Sequence, residues 1–317
     1  MAPQLPKSYK AIVLNSPGAD FIIKDVPLKE PGKAKSWSKV PGHEIVGDVV
    51  SVGEGVTQFK GGERVGGPWH GGHDNTCRAC QRGQFVICDN EVINGISRDG
   101  GYAEYVILRS EAVVRVPADL SPVETAPLLC AGVTVFNGMR KMHIEQGNLV
   151  AVQGLGGLGH LAVQYADKMG YRVVALSHGP DKKDFATKLV AQFYIDTTNE
   201  DPAKALQDLG GAQMICATSP NGKSIGRLVG GLAAGGKLLV LGAAGPVEFN
   251  TVEMISKAAS VHGHPSGHTL DCEEAIQFAA HHGVKCMVEP FPLNDVKKAV
   301  DHMLRGKVRF RGVLTME

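Results

Sequence analysis

Residues 149–159 read Leu-Val-Ala-Val-Gln-Gly-Leu-Gly-Gly-Leu-Gly and carry the clearest structural signal of the chain. The first five residues form a short apolar run that predicts a buried strand, and a helical pattern follows as far as Met169. The spaced glycines match GxGxxG between a strand and a helix, which is the context in which this motif binds dinucleotides. We therefore predict a dinucleotide-binding loop. The alternative is a glycine-rich turn that binds no ligand.

The glycines of this loop have different predicted roles. Gly154 permits a tight turn, Gly156 lets the backbone approach a pyrophosphate, and Gly159 lets the helix pack closely on the sheet. The phosphates are expected at the helix N-terminus, where free N–H groups and the helix dipole favour anions. The residues predicted to contact the cofactor in this loop are Gly154, Leu155, Gly156, Gly157, Leu158 and Gly159.

Around this loop, short apolar runs alternate with helical patterns, which is typical of a parallel sheet built from βαβ units. The predicted strands are residues 149–153, 172–177, 193–196, 214–217, 237–241 and 260–263. Six such strands with intervening helices predict one doubly wound α/β sheet of the Rossmann type.

The end of the second predicted strand bears on the choice of cofactor. Enzymes that use NAD usually carry Asp or Glu there, which accepts a hydrogen bond from the ribose 2′-hydroxyl. Here the strand ends at Ser177, His178 follows, and Lys182 lies a little further on. Ser177 can donate to a 2′-phosphate and Lys182 can pair with it, so the sequence favours NADP(H) over NAD(H). The alternative is that Lys182 only begins a solvated helix, next to the acidic Asp181 and Asp184.

The charge balance argues against large anionic partners. The 317 residues include 33 Lys and Arg against 32 Asp and Glu, a net charge of +1. We therefore expect no binding to nucleic acid or to an anionic membrane surface. No apolar run approaches the roughly 18 residues of a membrane span, and the apolar patch near the N-terminus is too short for a signal peptide. A cytoplasmic protein that acts on small molecules is the expectation.

The beginning and the end of the chain have other patterns. Short β-branched runs such as 45–52 and 105–116 are separated by glycine-rich turns, which predicts a β-rich region. Near the C-terminus, helices are predicted over 272–282 and 294–304 and a last strand over 309–314. Arg309 and Arg311 alternate on that strand, and we expect one or both of them to face solvent.

Three of the seven cysteines lie close together in one loop. Cys77 and Cys80 have the CxxC spacing that places two thiolates on one turn, and Cys88 follows eight residues later. Asp74 precedes Cys77 by the same step of three residues, and a carboxylate oxygen is an acceptable zinc ligand. The loop 70–90 is therefore predicted to bind structural zinc through Asp74, Cys77, Cys80 and Cys88. The alternatives are His73 in place of Asp74, three free thiols, or a Cys77–Cys80 disulfide.

Further segments share an order with a known family. They are Val40-Pro-Gly-His-Glu44, GDVVSVGEGV at 47–56, the cysteine loop, Gly100-Gly-Tyr-Ala-Glu104, Leu128-Leu-Cys-Ala-Gly-Val-Thr134 and GLGGLGH at 154–160. Together they resemble the zinc-dependent medium-chain alcohol dehydrogenases, in the branch near the cinnamyl alcohol dehydrogenases. The resemblance implies a GroES-like β-rich catalytic domain formed by residues 1–130 and 268–317. It implies a Rossmann NADP-binding domain over residues 131–267.

The resemblance also implies a catalytic zinc in the cleft between the domains. The family holds it with a cysteine, the histidine of the GHE segment and the cysteine before AGVT; the glutamate of GHE can be an alternate ligand. The last three correspond here to His43, Cys130 and Glu44. The first cysteine is absent, because only GKAKSWSK (32–39) stands before Val40, and the hydroxyl residue of the proton relay is absent with it. His43, Glu44 and Cys130 remain as the predicted catalytic, zinc-binding residues.

Three more cofactor contacts follow from the resemblance: Thr134 on the nicotinamide side, and Thr218 and Gly242 beyond the fourth and fifth Rossmann strands. The implied enzyme is a homo-oligomer that prefers NADP(H) and interconverts an alcohol with an aldehyde or ketone at a zinc-polarised oxygen. Two alternatives stay open because the first zinc cysteine is missing. One is a zinc-free reductase of conjugated C=C bonds, and the other is an NADPH-binding protein with impaired catalysis.

Overall fold

The structure is a computed structural model that describes residues 5–16, 19–28 and 39–316. The GKAKSWSK segment therefore lies outside the described residues except for Lys39.

The strands are β1 (Ser8–Val13), β2 (Ile22–Pro27), β3 (Ile45–Asp48), β4 (Arg64–Gly67), β5 (His70–Gly72), β6 (Val92–Ile93), β7 (Val114–Arg115), β8 (Leu149–Gln153), β9 (Arg172–Ser177), β10 (Phe193–Asp196), β11 (Ala212–Ala217), β12 (Leu232–Val240), β13 (Ser260–Gly263), β14 (Val288–Pro292) and β15 (Arg311–Thr315). The helices are α1 (Arg78–Gln81), α2 (Pro122–Thr125), α3 (Ala131–Arg140), α4 (Gly159–Lys168), α5 (Lys183–Lys188), α6 (Pro202–Asp208), α7 (Gly222–Gly226), α8 (Thr251–Lys257), α9 (Thr269–His282) and α10 (Val296–Leu304).

The chain divides into two compact units. The first comprises residues 1–130, 267–277 and 286–317, and the second comprises residues 131–266 and 278–285. The division departs from the domains drawn from the sequence mainly at 278–285, which groups with the second unit. Phe278 explains this grouping, because its ring packs against the rings of Phe136 and Tyr165, with centroids 5.1 and 5.8 Å apart.

Within the described residues, the second unit contains a six-stranded parallel sheet in the order β10-β9-β8-β11-β12-β13. This is the predicted doubly wound sheet, and β8, β9, β10 and β13 have the predicted bounds. Two strands begin earlier than predicted, at Ala212 and Leu232. The pairing of β11 with β12 has a bulge between Ala212 and Met214, opposite the segment of β12 that contains Gly235. Gly235 has a φ of +68°, a conformation that glycine adopts without strain.

The sheet places the predicted cofactor residues at one edge. All five residues of β8 are buried, and parallel strands buried on both faces read as continuous apolar runs. Because the strands are parallel, the segments that follow β8, β9, β11 and β12 emerge at the same edge. Those segments contain Gly154, Ser177, Thr218 and Gly242, and ligands of doubly wound sheets bind at this edge.

The first unit contains small sheets, which among the described residues pair as β1-β2, β3-β4-β7, β5-β6 and β14-β15. The β-branched run 105–116 of the predicted β-rich region contributes only a short strand, Val114–Arg115. The backbone there finds other partners. The guanidinium of Arg98 donates to the carbonyl of Ile107, and Ser110–Ala112 forms a 3-10 turn.

The C-terminal elements lie near their predicted positions. Helix α9 begins at Thr269 rather than 272, because the carboxylate of Asp271 accepts a hydrogen bond from the backbone N–H of His268 at 3.0 Å. Helix α10 begins at Val296, after a 3-10 turn over Leu293–Asp295. Of the helices in the described ranges, none combines the length and the apolar character needed to cross a membrane.

Candidate functional site

The four side chains of the predicted zinc loop lie together. The ligand atoms of Asp74, Cys77, Cys80 and Cys88 all lie within 4.8 Å of one another. Helix α1 begins directly after Cys77, whose sulfur accepts a hydrogen bond from the backbone N–H of Cys80 at 3.4 Å. That hydrogen bond lowers the pKa of the Cys77 thiol, which favours the thiolate that binds metals.

The fourth member of the group, Asp74, is held by its neighbours. Its Oδ2 accepts from the side-chain amide of Asn90 at 2.6 Å, and its Oδ1 accepts from the backbone N–H of Thr76 at 2.8 Å. These hydrogen bonds, led by that of Asn90, hold the pKa of Asp74 well below its usual range. The alternative ligand His73 is engaged elsewhere, because its Nδ1 lies 3.0 Å from Nε2 of His70. The structure therefore gathers Asp74, and not His73, with the thiols.

This donor set fits zinc. Three thiolates and one carboxylate supply four ligands of the kinds that structural zinc sites use. Cys77, Cys80 and Cys88 are free thiols in the structure, so none is withdrawn from the group by a disulfide. The group is the one set of three or more candidate ligands that the described residues bring within such a distance.

The residues predicted at a catalytic zinc are arranged differently. The carboxylate of Glu44 forms an ion pair with the guanidinium of Arg311 on β15. Burial alone would lower the pKa of Arg311, but the attraction to Glu44 outweighs it and raises that pKa, so the guanidinium stays charged. One or both of Arg309 and Arg311 were expected to face solvent, and Arg309 does. The side chain of Arg311 is only 28% exposed and pairs with Glu44.

His43 lies beside this pair. Its ring meets the ring of Trp69 edge to face, with centroids 4.8 Å apart. The pKa of His43 is lowered, chiefly by burial. The interaction with Glu44 acts to raise this pKa, and the interaction with Arg311 acts to lower it further. The imidazole is therefore held neutral, with a lone pair available for a metal or a proton. Trp69 is a contact that the sequence reasoning missed.

Cys130, partly exposed, directly precedes helix α3. Cys130 and Glu44 both interact electrostatically with Arg311 and raise its pKa, so the two residues share the surroundings of that guanidinium. Among the described residues, however, His43, Glu44 and Cys130 do not form a ligand group like that of the zinc loop. Their assignment to a catalytic zinc stays a prediction.

The glycine-rich loop has the backbone that its sequence requires. Gly154 has a φ of +89° and donates its N–H to the carbonyl of Leu176 at 2.8 Å. A Cβ added to Gly159 would lie 1.8 Å from the carbonyl oxygen of Gly154. Close packing therefore requires glycine at position 159. A Cβ added to exposed Gly156 would meet nothing within 4 Å. The protein itself does not require glycine at this position, whereas a pyrophosphate against the backbone would.

The other predicted cofactor residues differ in access. Leu155 is buried at 4% exposure, and the Thr218 hydroxyl donates to the carbonyl of Gln153 at 2.6 Å, which ties the loop to β11. Thr134 lies buried within α3. The remaining ones are at least partly accessible: Gly154, Gly157, Leu158 and Gly242.

The end of β9 carries no carboxylate. Ser177 is buried, His178 is exposed, and Lys182 is half-buried at the end of a 3-10 turn. Strand β10 was predicted, but sequence reasoning missed that Asp196 at its end and Thr197 directly after it contact this segment. The one sequence feature that could have indicated Asp196 and Thr197 is their position at the end of the next predicted strand.

Comparison with known proteins identifies the family. The pattern described as "Alcohol dehydrogenase GroES-like domain" matches residues 18–118, and "Zinc-binding dehydrogenase" matches residues 157–281. An alcohol dehydrogenase of Penicillium expansum, patD, is 49% identical over 340 residues, with 100% of each chain covered. The chain belongs to the zinc-binding alcohol dehydrogenases. The predicted family is confirmed.

Other relatives of this alcohol dehydrogenase agree. The alcohol dehydrogenase notN of an Aspergillus species is 44% identical, with 99% of each chain covered. The solved structure of a cinnamyl alcohol dehydrogenase from Sorghum bicolor has a TM-score of 0.88 at 28% identity, covering 98% of this chain and 99% of that one. The alignment with patD extends over 340 positions, whereas the dehydrogenase has 317 residues. The relative therefore has residues that this chain lacks.

Proposed function

We propose that this alcohol dehydrogenase prefers NADP(H) and interconverts an alcohol with an aldehyde or ketone at a zinc-polarised oxygen. The observation that carries the cofactor preference is the end of β9, where Ser177 and the exposed His178 stand in place of a carboxylate. A carboxylate at this place would repel a 2′-phosphate. The half-buried Lys182 adds a cation to the same segment.

The chain's own residues bind and orient the cofactor. NADPH, when bound, supplies the hydride. The open backbone at Gly156 would accommodate the pyrophosphate, and Gly159 allows α4 to begin close to the sheet, where its N-terminus would favour the phosphates. The Thr218 hydroxyl holds the loop against β11 through Gln153. The loop is therefore preorganised, which lowers the entropy cost of binding.

For the catalytic zinc we propose His43, Cys130 and Glu44 as ligands. A neutral imidazole, a thiolate and a carboxylate are all zinc ligands, and a zinc with an open position would polarise the substrate oxygen. His43 is held neutral by burial, as a ligand must be. Glu44 would have to leave Arg311 to serve as the third ligand. The donor chemistry of the three side chains fits zinc, whereas the pairing of Glu44 with Arg311 does not.

Zinc content and turnover test the proposal together. Freshly purified protein is analysed for zinc per chain and assayed with alcohols, aldehydes and ketones, using NADPH and NADH in parallel. About two zinc ions per chain, faster turnover with NADPH, and loss of both the second zinc and turnover in Cys130→Ser would support it. Unchanged turnover in Cys130→Ser would overturn the role of the catalytic zinc.

One observation favours a second candidate. Because Glu44 is paired with Arg311, only His43 and Cys130 remain of the three predicted zinc ligands. A catalytic zinc site uses three protein ligands. We therefore keep a zinc-free reductase of conjugated C=C bonds as the second candidate. Reduction of enals by NADPH that survives chelation, with no oxidation of alcohols, would favour it. Tight NADPH binding without any turnover would instead indicate a binding protein.

We further propose that the enzyme self-associates and works in the cytosol. Strand β13 lies at one end of the parallel sheet, and helix α8 exposes Val252 at 72% and Ile255 at 80%. Apolar side chains this exposed are typical of protein contacts when they cluster. Light scattering after gel filtration should give a dimer or larger, and Ile255→Glu should shift it toward monomer. A monomeric wild type would contradict the proposal.

A further inference from the structure

The exposed His178 contacts Thr197, which directly follows the neighbouring strand β10. The hydroxyl oxygen of Thr197 lies 2.8 Å from Nδ1 of His178. The same hydroxyl lies 3.2 Å from the carbonyl oxygen of Ser177, which also accepts the backbone N–H of Thr197 at 2.9 Å. Thr197 therefore holds the end of β9 and the His178 ring at once. Nothing in the dinucleotide-binding motif points to this residue.

The hydrogen bonds of Thr197 limit which nitrogen of the His178 ring can carry a proton. When the Thr197 hydroxyl donates to Nδ1, the ring proton lies on Nε2; when the hydroxyl donates to Ser177, Nδ1 must donate to the hydroxyl. Among the residues that the structure describes, no hydrogen bond or ion pair involves Nε2 of His178. An anion at Nε2 favours the forms that carry a proton there. These are the imidazolium and the neutral tautomer that accepts from Thr197.

The turn that carries Thr197 is itself fixed to the His178 segment. The carboxylate of Asp196 accepts hydrogen bonds from the backbone N–H of Thr198 at 3.0 Å and from that of Gly179 at 2.8 Å. The hydroxyl of Tyr194 donates to the carbonyl of Gly179. Strand β10 thus holds both sides of His178. Because these groups do not depend on a ligand, the ring is positioned before any cofactor binds.

We propose that Thr197 is a positioning residue for cofactor choice: it orients His178 so that Nε2 donates a hydrogen bond to the 2′-phosphate of NADP(H). The inference rests on the proposed preference for NADP(H) and adds the residue that creates it. The 2′-hydroxyl of NAD(H) carries no charge and gains less from this donor. Thr197 should therefore affect the ratio of the two affinities, and not cofactor binding in general.

Other charges surround this position. Asp181 lies close to Gly179, since a Cβ added there would be 2.5 Å from the Asp181 carboxylate. Lys182 supplies a positive charge, and the carboxylate of Asp196 is occupied by its own donors. With acidic and basic groups both present, net charge does not decide the preference. A directed donor such as His178 can.

The test compares the dissociation constants of NADPH and NADH, measured by fluorescence titration of the full chain. Thr197→Val keeps the shape and removes the hydroxyl. We expect it to weaken NADPH about tenfold, the effect of losing one hydrogen bond to a charged group, and to leave NADH within about twofold. Thr197→Ser should restore the wild-type ratio. In a His178→Ala background, Thr197→Val should have little further effect, because the two residues act through one contact.

The matched control is Thr187→Val on α5, which also removes a threonine hydroxyl that donates to a backbone carbonyl, that of Lys183 at 3.1 Å. It should leave the ratio unchanged. If the wild type prefers NADPH and Thr197→Val keeps that preference, the inference is wrong and the proposed function stands. If the wild type itself binds NADPH no better than NADH, the proposed preference and the inference fail together. Equal weakening of both cofactors would show a structural role for Thr197, and would also overturn the inference.

Discussion

Glu44 and Arg311 form an ion pair across 267 residues of the chain. Glu44 follows directly after His43, and Arg311 begins the last strand, β15. The pair has two consequences for this alcohol dehydrogenase. It anchors the C-terminal strand to the GHE segment, and it occupies the carboxylate that would have to replace the missing zinc cysteine. If Glu44 is a zinc ligand as proposed, the ion pair and the metal compete for one side chain.

Arg311→Met should destabilise the protein by about 3 kcal/mol, because it removes the guanidinium that pairs with the largely buried Glu44 carboxylate. The double variant Glu44→Gln with Arg311→Met should lose clearly less, since both members of the ion pair are then removed together. Urea unfolding followed by circular dichroism measures both. If the single variant unfolds at the wild-type urea concentration, the pair does not stabilise the fold.

Asp74→Cys should make the structural zinc more resistant to chelation, because a fourth thiolate is a softer ligand than a carboxylate. Asp74→Ala should release zinc faster, and removal of the metal should lower the melting temperature of each protein. Zinc release to a coloured chelator gives the rates. Asp89→Ala is the control, since Asp89 is an exposed carboxylate next to Cys88 outside the ligand group. Equal rates for Asp74→Ala and wild type would exclude Asp74 as a ligand.

Two alanine substitutions in the glycine-rich loop should separate ligand binding from folding. Gly156→Ala should change the free energy of unfolding by no more than about 0.5 kcal/mol and weaken NADPH about tenfold, because only a ligand fills that space. Gly159→Ala should cost about 3 kcal/mol of stability, because its Cβ collides with the Gly154 carbonyl. Unfolding without cofactor and fluorescence titration are the measurements. Unchanged NADPH affinity in Gly156→Ala would argue against a pyrophosphate at this position.

Asp196 should contribute stability in a defined pH range. Hydrogen bonds, first from the backbone N–H of Thr198, lower its pKa below the ordinary value of about 4. The contribution is therefore complete above about pH 4 and is lost as the pH falls through the lowered pKa. Asp196→Asn should have a lower melting temperature than wild type at pH 7, and the difference should shrink below about pH 4.

The control for that series is Asp208→Asn, which removes an exposed carboxylate paired with Lys204 on α6. Exposed helix pairs contribute little, so this variant should stay close to wild type at every pH. A difference between Asp196→Asn and wild type that persists unchanged at pH 3 would mean that the charge of Asp196 is not what stabilises the turn.

Local patterns predicted the second unit well. Four strands of the sheet have the predicted bounds. For β8 and β9 the reason is that buried parallel strands are short apolar runs, which turns and helices interrupt. The run 105–116 is rich in β-branched residues, but most of it is not a strand. The carbonyl of Ile107 accepts a hydrogen bond from Arg98 instead of from a neighbouring strand. Strand propensity describes a residue's fit to a sheet and does not supply the partner strand.

Spacing within a few residues was enough to identify the glycine-rich loop and the group Asp74, Cys77, Cys80 and Cys88, because a single turn or loop brings such residues together. The contacts of Arg311 with Glu44, of Trp69 with His43 and of Thr197 with His178 needed the folded chain. Each contact joins residues that are far apart in the sequence, so no local sequence pattern predicts it. The contact forms only because particular strands lie side by side in the fold. Sequence therefore specified the chemistry of each loop, whereas strand pairing determined which charges and hydroxyls those loops face.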